Sequence, residues 1–136
     1  MPDKAALDSN IIAAIFFNED ASPRALKAVA ELDLITLDLA VAEIGNVAWK
    51  QVVLSGEDKE LTLTALQKCL SFISEACDVV RAQDLAAEAY EISVETKVAF
   101  YDSLFLALSE KEQVPLLTLD RKLYEKSKGR RDVRII

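Results

Sequence analysis

The chain has 136 residues, 51% of them hydrophobic, enough for one domain with a substantial core and so for one principal active site. It contains no histidine, which excludes Ser-His-Asp and Cys-His triads, histidine general bases and mixed histidine sites for zinc; carboxylates must carry any acid, base or metal chemistry. The net charge of −7 is unevenly spread: residues 1–120 hold 9 Lys and Arg against 21 Asp and Glu, net −12, whereas residues 121–136 hold 7 against 2, net +5.

The three glycines form neither GxxxxGK nor GxGxxG, which sets aside P-loop hydrolysis and dinucleotide binding. Cys69 and Cys77 lack CxxC spacing and read as buried structural thiols. The N-terminal stretch is charged, and the apolar run Ile11 to Phe17 is too short to span a membrane or form a signal core, so a soluble, cytoplasmic protein with no membrane association is expected.

In chain order, Ala5 to Leu7 predicts a strand ending at Asp8, and SNIIAAIFF a helix after it. Ser22 and Pro23 open a second helix reaching about Glu31. Leu34 to Leu37 predicts the second strand. Asp38 is placed to cap the next helix, where Leu39, Ala42, Val47 and Trp49 supply apolar surface and Ser55 and Gly56 mark the end. Glu43 and Asn46, three apart, share a face near its N-terminal half. Residues 58 to about 76 carry the helical stripe Leu63, Leu66, Leu70, Ile73.

Asp78 to Val80 predicts a weak third strand, and Asp84 a cap for a helix through Leu85, Ala89 and Ile92. After a polar link at Glu95 to Lys97, a helix carries Asp102 in its first turn and Leu104, Phe105, Leu106 and Leu108 beyond, stopping before Pro115. Val114 to Leu119 predicts a buried strand ending at Asp120, followed by the basic helix DRKLYEKSKG and a last strand, Val133 to Ile136. Alternating strands and helices imply an α/β sandwich over residues 1–136, with a mainly parallel sheet and helices on both faces.

In such a sheet the carboxyl ends of the strands share one edge, where ligands bind at the reversal of strand order. Asp8 and Asp120 end strands there, and Glu43 and Asp102 lie near the starts of helices opening from the same edge. Four converging carboxylates repel one another unless a cation compensates, and all-oxygen ligation selects Mg²⁺ or Mn²⁺ over zinc. That chemistry favours phosphodiester hydrolysis without a protein nucleophile. Each acid also has a plain structural reading: Asp8 and Asp120 as helix caps, Glu43 as a solvated helix residue, Asp102 as a favourable charge at its helix N-terminus. Asp38 and Asp84 read as caps only. The basic tail is either a solvated helix face or a phosphate-facing patch.

The segments LDSNIIAAIF, AVAEIGNVAWK and YDSLFLALSEKEQVPLLTLDRKLY resemble the acid-bearing elements of PIN-domain proteins, specifically the VapC-type toxins. The resemblance runs the whole length and implies an RNA-cleaving, metal-dependent enzyme, a homodimer, and inhibition by a VapB-type antitoxin whose tail enters the acidic groove. It further implies Asp8, Glu43, Asp102 and Asp120 as catalytic, metal-holding carboxylates, with Ser9, Asn46 and Thr118 as the polar groups orienting them. Asn10 matches a frequent family choice and equally suits a helix entry. Lys122, Lys126, Lys128, Arg130 and Arg131 are the candidates for RNA-backbone contact near Asp120. Two alternatives stay open: a non-catalytic PIN scaffold that binds RNA or protein, and a phospho-acceptor receiver domain, which would normally have neighbouring acids after its first strand where Ser9 and Asn10 follow Asp8 here.

Overall fold

The computed structural model describes residues 3–17 and 19–136. Strand β1 (Lys4–Leu7) leads into helices α1 (Ser9–Phe16) and α2 (Ser22–Val29), and β2 (Asp33–Leu37) into α3 (Leu39–Val53) and α4 (Lys59–Ala76). Strand β3 (Cys77–Val80) leads into a 3-10 turn (Ala82–Leu85), α5 (Ala86–Thr96) and α6 (Phe100–Glu112); β4 (Leu116–Thr118), α7 (Arg121–Ser127) and β5 (Val133–Ile135) follow. The strands form one sheet in the order β3-β2-β1-β4-β5, with every pairing parallel.

Alternation along the strands builds two cores. Ala5, Leu7, Leu34 and Leu117 face a layer made by α1 to α4, whereas Ala6, Ile35, Leu37 and Leu116 face one made by α5, α6 and α7. The three-layer α/β sandwich expected from the alternation of elements is the fold observed. Helix α6 is buried from Ser103 through Ser109, which explains why its sequence is apolar on nearly every face.

Helix orientation departs from the sequence reading in two places. On α4 the buried residues are Thr62, Cys69 and Ile73, with Ala65, Leu66 and Phe72 partly buried, while Leu63 is 43% exposed. The apolar face is turned about one position from the leucine stripe, and Phe72 meets Phe16 of α1 edge-on at 5.6 Å between ring centroids. On α3, Ala40, Ile44 and Ala48 form the inward row, leaving Ala42 and Trp49 exposed.

Caps and ends also shift. Asp84 lies inside the 3-10 turn rather than capping α5, and α5 runs on to Thr96, absorbing most of the expected polar link. Asp38 makes no cap bond on α3; its carboxylate accepts from the Ala82 backbone N–H at 2.9 Å and ties the exit of β3 to that of β2. Strand β4 begins at Leu116 because the Val114 N–H is taken by the carbonyl of Ser109 at the end of α6. Cys69 and Cys77 are free thiols, and burial pushes them up to about 12 and about 11, so neither is a ready thiolate. Among the described residues no helix is long and apolar enough to cross a membrane.

Candidate active site

Successive strands step from β1 to β2 to β3 in one direction and from β4 to β5 in the other, so the strand order reverses between β1 and β4. At that point the chains leaving the two strands diverge and open a crevice at the carboxyl edge. Leu7 pairs with Leu117, which brings the next residues, Asp8 and Thr118, side by side. The cleft there has a volume of about 270 Å³ and is lined by all four sequence-expected acids, Asp8, Glu43, Asp102 and Asp120, together with Ser9, Asn10, Asn46, Val47 and Lys50. Glu43 arrives on α3 from β2, and Asp102 in the first turn of α6, whose start lies at this edge because α6 leads back into β4. Asp38 and Asp84 do not line the cleft.

Asp8 precedes α1 in the capping position, yet its side chain makes no cap hydrogen bond. It is 5% exposed and accepts instead from the Thr118 hydroxyl at 2.7 Å and from the Asn10 amide at 3.3 Å. Asn10 also donates to Thr118 Oγ1 and accepts from the Leu119 backbone N–H at 3.0 Å, so it clamps the exits of β1 and β4 together. Thr118 Oγ1 in turn accepts from the Asp120 backbone N–H at 3.0 Å. Asp120 does cap its helix, accepting from the Leu123 N–H at 3.1 Å, and still lines the cleft. Ser9 donates to Glu43 Oε1 at 2.7 Å and holds that carboxylate from across the α1–α3 contact. Asn46 lines the cleft but is exposed, and among the described residues its side chain bonds no carboxylate.

Burial and mutual repulsion act on this cluster. Asp8 is pushed up to about 7, first by burial, against the Thr118 hydrogen bond that favours its charge, with the nearby Asp102 and Glu43 raising it further. Burial raises Glu43 as well, opposed by the Ser9 hydrogen bond and helped by Asp102. Asp102 is raised by burial and by Asp120, with Lys126 working the other way. A buried, hydrogen-bonded carboxyl repelled by two others fits a cation as its missing partner. Among the described residues no three acids stand close enough to ligate one ion together. Any ion held here would take at most two carboxylates directly, and the all-oxygen lining, without His or Cys, suits Mg²⁺ or Mn²⁺ better than structural zinc.

The basic candidates separate by position. Lys126 sits close enough to Asp102 to act on its charge, and Lys122 is exposed on the first turn of α7. Lys128 is held by Glu125 at 2.6 Å. Arg130 and Arg131 lie just ahead of β5, at the amino edge of a parallel sheet, in a separate pocket where Arg131 reaches Glu110 at 3.6 Å. The expectation that these two arginines lie near Asp120 is therefore corrected: they stand at the amino edge of the sheet and the acids at its carboxyl edge. The cleft residue that sequence reasoning missed is Lys50, and its spacing of seven from Glu43 on one helix was the available signal.

Comparison with known protein families matches the PIN domain over residues 5–129. The chain belongs to the PIN-domain family. It is 33% identical over 124 residues to Ribonuclease VapC3 of Pyrobaculum aerophilum, covering 90% of this chain and 94% of that one. It is 32% identical over 100 residues to Exonuclease VapC9 of the same organism, covering 74% of this chain and 71% of that one. A toxin–antitoxin complex from Klebsiella pneumoniae shares the fold with a TM-score of 0.65 at 20% identity, over 96% of this chain and 95% of that one. PIN-domain membership also removes the receiver alternative, since β3 is an edge strand with no acid in the cleft, where a phospho-acceptor would have followed it.

The raised Asp8 carboxyl fixes a pH signature for metal-free protein. Its folded value of about 7 exceeds the 3.8 of an ordinary aspartate, so the stability it contributes is full below about 3.8 and is lost as pH rises through about 7. In chelator, the melting temperature of the wild type is expected to fall between pH 5 and pH 8. Asp8→Asn should lose most of that slope and exceed the wild type at pH 8 by about 5 °C. Parallel melting curves for the two proteins across this range would show that Asp8 is not so perturbed.

Proposed function

We propose that the protein is a Mg²⁺- or Mn²⁺-dependent endoribonuclease that hydrolyses RNA phosphodiester bonds, acting in the cytoplasm as the toxin of a type II toxin–antitoxin pair. The observation that carries this reading is Asp8: a buried carboxyl at the reversal of strand order, released from capping duty and surrounded by Glu43, Asp102 and Asp120. The naming of VapC3 as a ribonuclease supports it.

The residues divide the work. Asp8, Glu43, Asp102 and Asp120 would hold the ion between them, no more than two by direct ligation and the others through its water shell; when bound it would compensate their charge and polarise the phosphate for attack by water. Thr118 and Asn10 fix Asp8, and Ser9 fixes Glu43, so that each presents its remaining oxygens to the cleft. Asp120 is held by the N-terminus of α7. These supports cost little reorganisation when substrate arrives, which is what electrostatic stabilisation of a charged transition state requires. The intact acid set speaks against a non-catalytic scaffold.

The test uses protein stripped of any bound antitoxin, a mixed cellular RNA pool, and Mg²⁺ or Mn²⁺. The wild type is expected to give discrete internal cuts that EDTA abolishes, and Asp8→Asn and Asp102→Asn to lose at least about 100-fold in rate. Progressive shortening from one end would replace endonuclease with exonuclease. Expression of the wild type alone should arrest growth, and neither variant should. Activity surviving in both variants would place the chemistry elsewhere.

We further propose two kinds of protein partner. An antitoxin segment rich in Arg or Lys suits a cleft with four acids in a body of net −12 before residue 121, because charge-assisted bonds to carboxylates are strong. A second copy of the chain suits the exposed apolar side chains Trp49 and Val53 on α3, Tyr90 and Val94 on α5, and Tyr101 on α6. Light scattering is expected to give twice the mass of the chain, reduced towards the monomer by Trp49→Glu with Tyr90→Glu. A monomeric wild-type mass at every concentration would refute the dimer.

A further inference from the structure

The acidic cleft carries a cation that its carboxylates have not captured. Lys50 lies in the last turn of α3, seven residues beyond Glu43, and so on the same face of the helix two turns further on. Among the described residues it is the single basic side chain lining the cleft, and no acid comes within salt-bridge distance of it. It is also the only Lys or Arg on α3. An ammonium serving as a structural counter-charge would be paired with one of four carboxylates lining the same cleft. This one is left at the rim, exposed and available.

A second ammonium stands on the other side. Lys126 of α7 acts on Asp102, and α7 packs in the opposite layer of the sandwich from α3. A chain of phosphates passing over the carboxyl edge of the sheet, from the α3 layer to the α7 layer, would meet a cation before and after the acids. A phosphate repelled by bare carboxylates needs such flanking charges to be held in line.

We propose that Lys50 binds an RNA phosphate neighbouring the one that is cleaved, so that the strand crosses the carboxyl edge of the sheet from the α3 side to the α7 side. The role rests on the nuclease reading and makes Lys50 a substrate-positioning residue, with no part in the bond-breaking step. Its exposure means that substitution removes a charge without opening a cavity.

The experiment measures binding of a short fluorescein-labelled single-stranded RNA of mixed sequence, by anisotropy across a salt series in Mg²⁺. The protein carries Asp8→Asn so that the probe is not cut. Adding Lys50→Gln is expected to weaken binding about 5-fold at low salt and to reduce the slope of log affinity against log salt by about 0.7, the loss of one phosphate contact on a single strand. Lys50→Arg should restore most of the affinity, and Lys27→Gln on α2, outside the cleft, should change nothing. In otherwise wild-type protein, Lys50→Gln should raise KM more than it lowers kcat. Unchanged affinity and salt slope in a parent that binds RNA would overturn the proposal while leaving the nuclease reading intact. A melting temperature that moves with Lys50→Gln in the absence of RNA would make Lys50 a structural counter-charge and also overturn it. If the parent binds no RNA and the wild type cuts none, the nuclease reading fails and this role falls with it.

Discussion

The parallel pairing of β1 with β4 is the constraint on which the rest of the site depends. Because Leu7 stands against Leu117, Asp8 and Thr118 must emerge together, and the crevice must open where their chains part. Thr118 and Asn10 then lock the two exits to each other through Asp8 and the Leu119 N–H. A slip of register between these strands would turn Asp8 and Thr118 away from each other and dissolve the cluster, so fold and site are specified by the same contacts.

That arrangement keeps a carboxyl buried at an energetic cost. Burial and like charges both oppose ionisation of Asp8, and the hydrogen bond from Thr118 only partly offsets them. Perturbed carboxyls of this kind cluster at functional sites. The surrounding groups have separate duties: Ser9 holds Glu43, the start of α7 holds Asp120, and Asp102 shares its neighbourhood with Lys126. The outcome is a set of acids held apart on four separate segments around one cleft.

Much of this was legible in the sequence because it follows from local signals. Asp8 and Asp120 stand at the ends of apolar runs, and in a chain without histidine only carboxylates can carry acid, base or metal chemistry of this kind. The helix ends were less legible: α5 and α6 stop at Lys97 and Gln113 in left-handed conformation rather than at glycines. Helix rotation was hidden too. Leu63 is as apolar as Leu66, and only packing against α1 decides that Thr62 and Cys69 turn inward instead. The split of the basic tail between two sheet edges depends on where β5 joins the sheet, which no local pattern around Arg130 and Arg131 records. Asn10 looked equally like a helix entry, and its clamp role needs the tertiary neighbour Leu119.

The central claim is that the cleft around Asp8 is a divalent-cation site, and calorimetric titration of chelator-treated protein with Mn²⁺ at pH 6.5, in two buffers of different ionisation enthalpy, tests it most directly. Saturable binding accompanied by release of a proton is expected, since an ion must displace the one that Asp8 retains when its carboxyl is pushed up to about 7. Asp8→Asn should abolish the proton release and weaken binding at least about 10-fold. Absence of binding at millimolar Mn²⁺, or equal binding and proton release in Asp8→Asn, would contradict it.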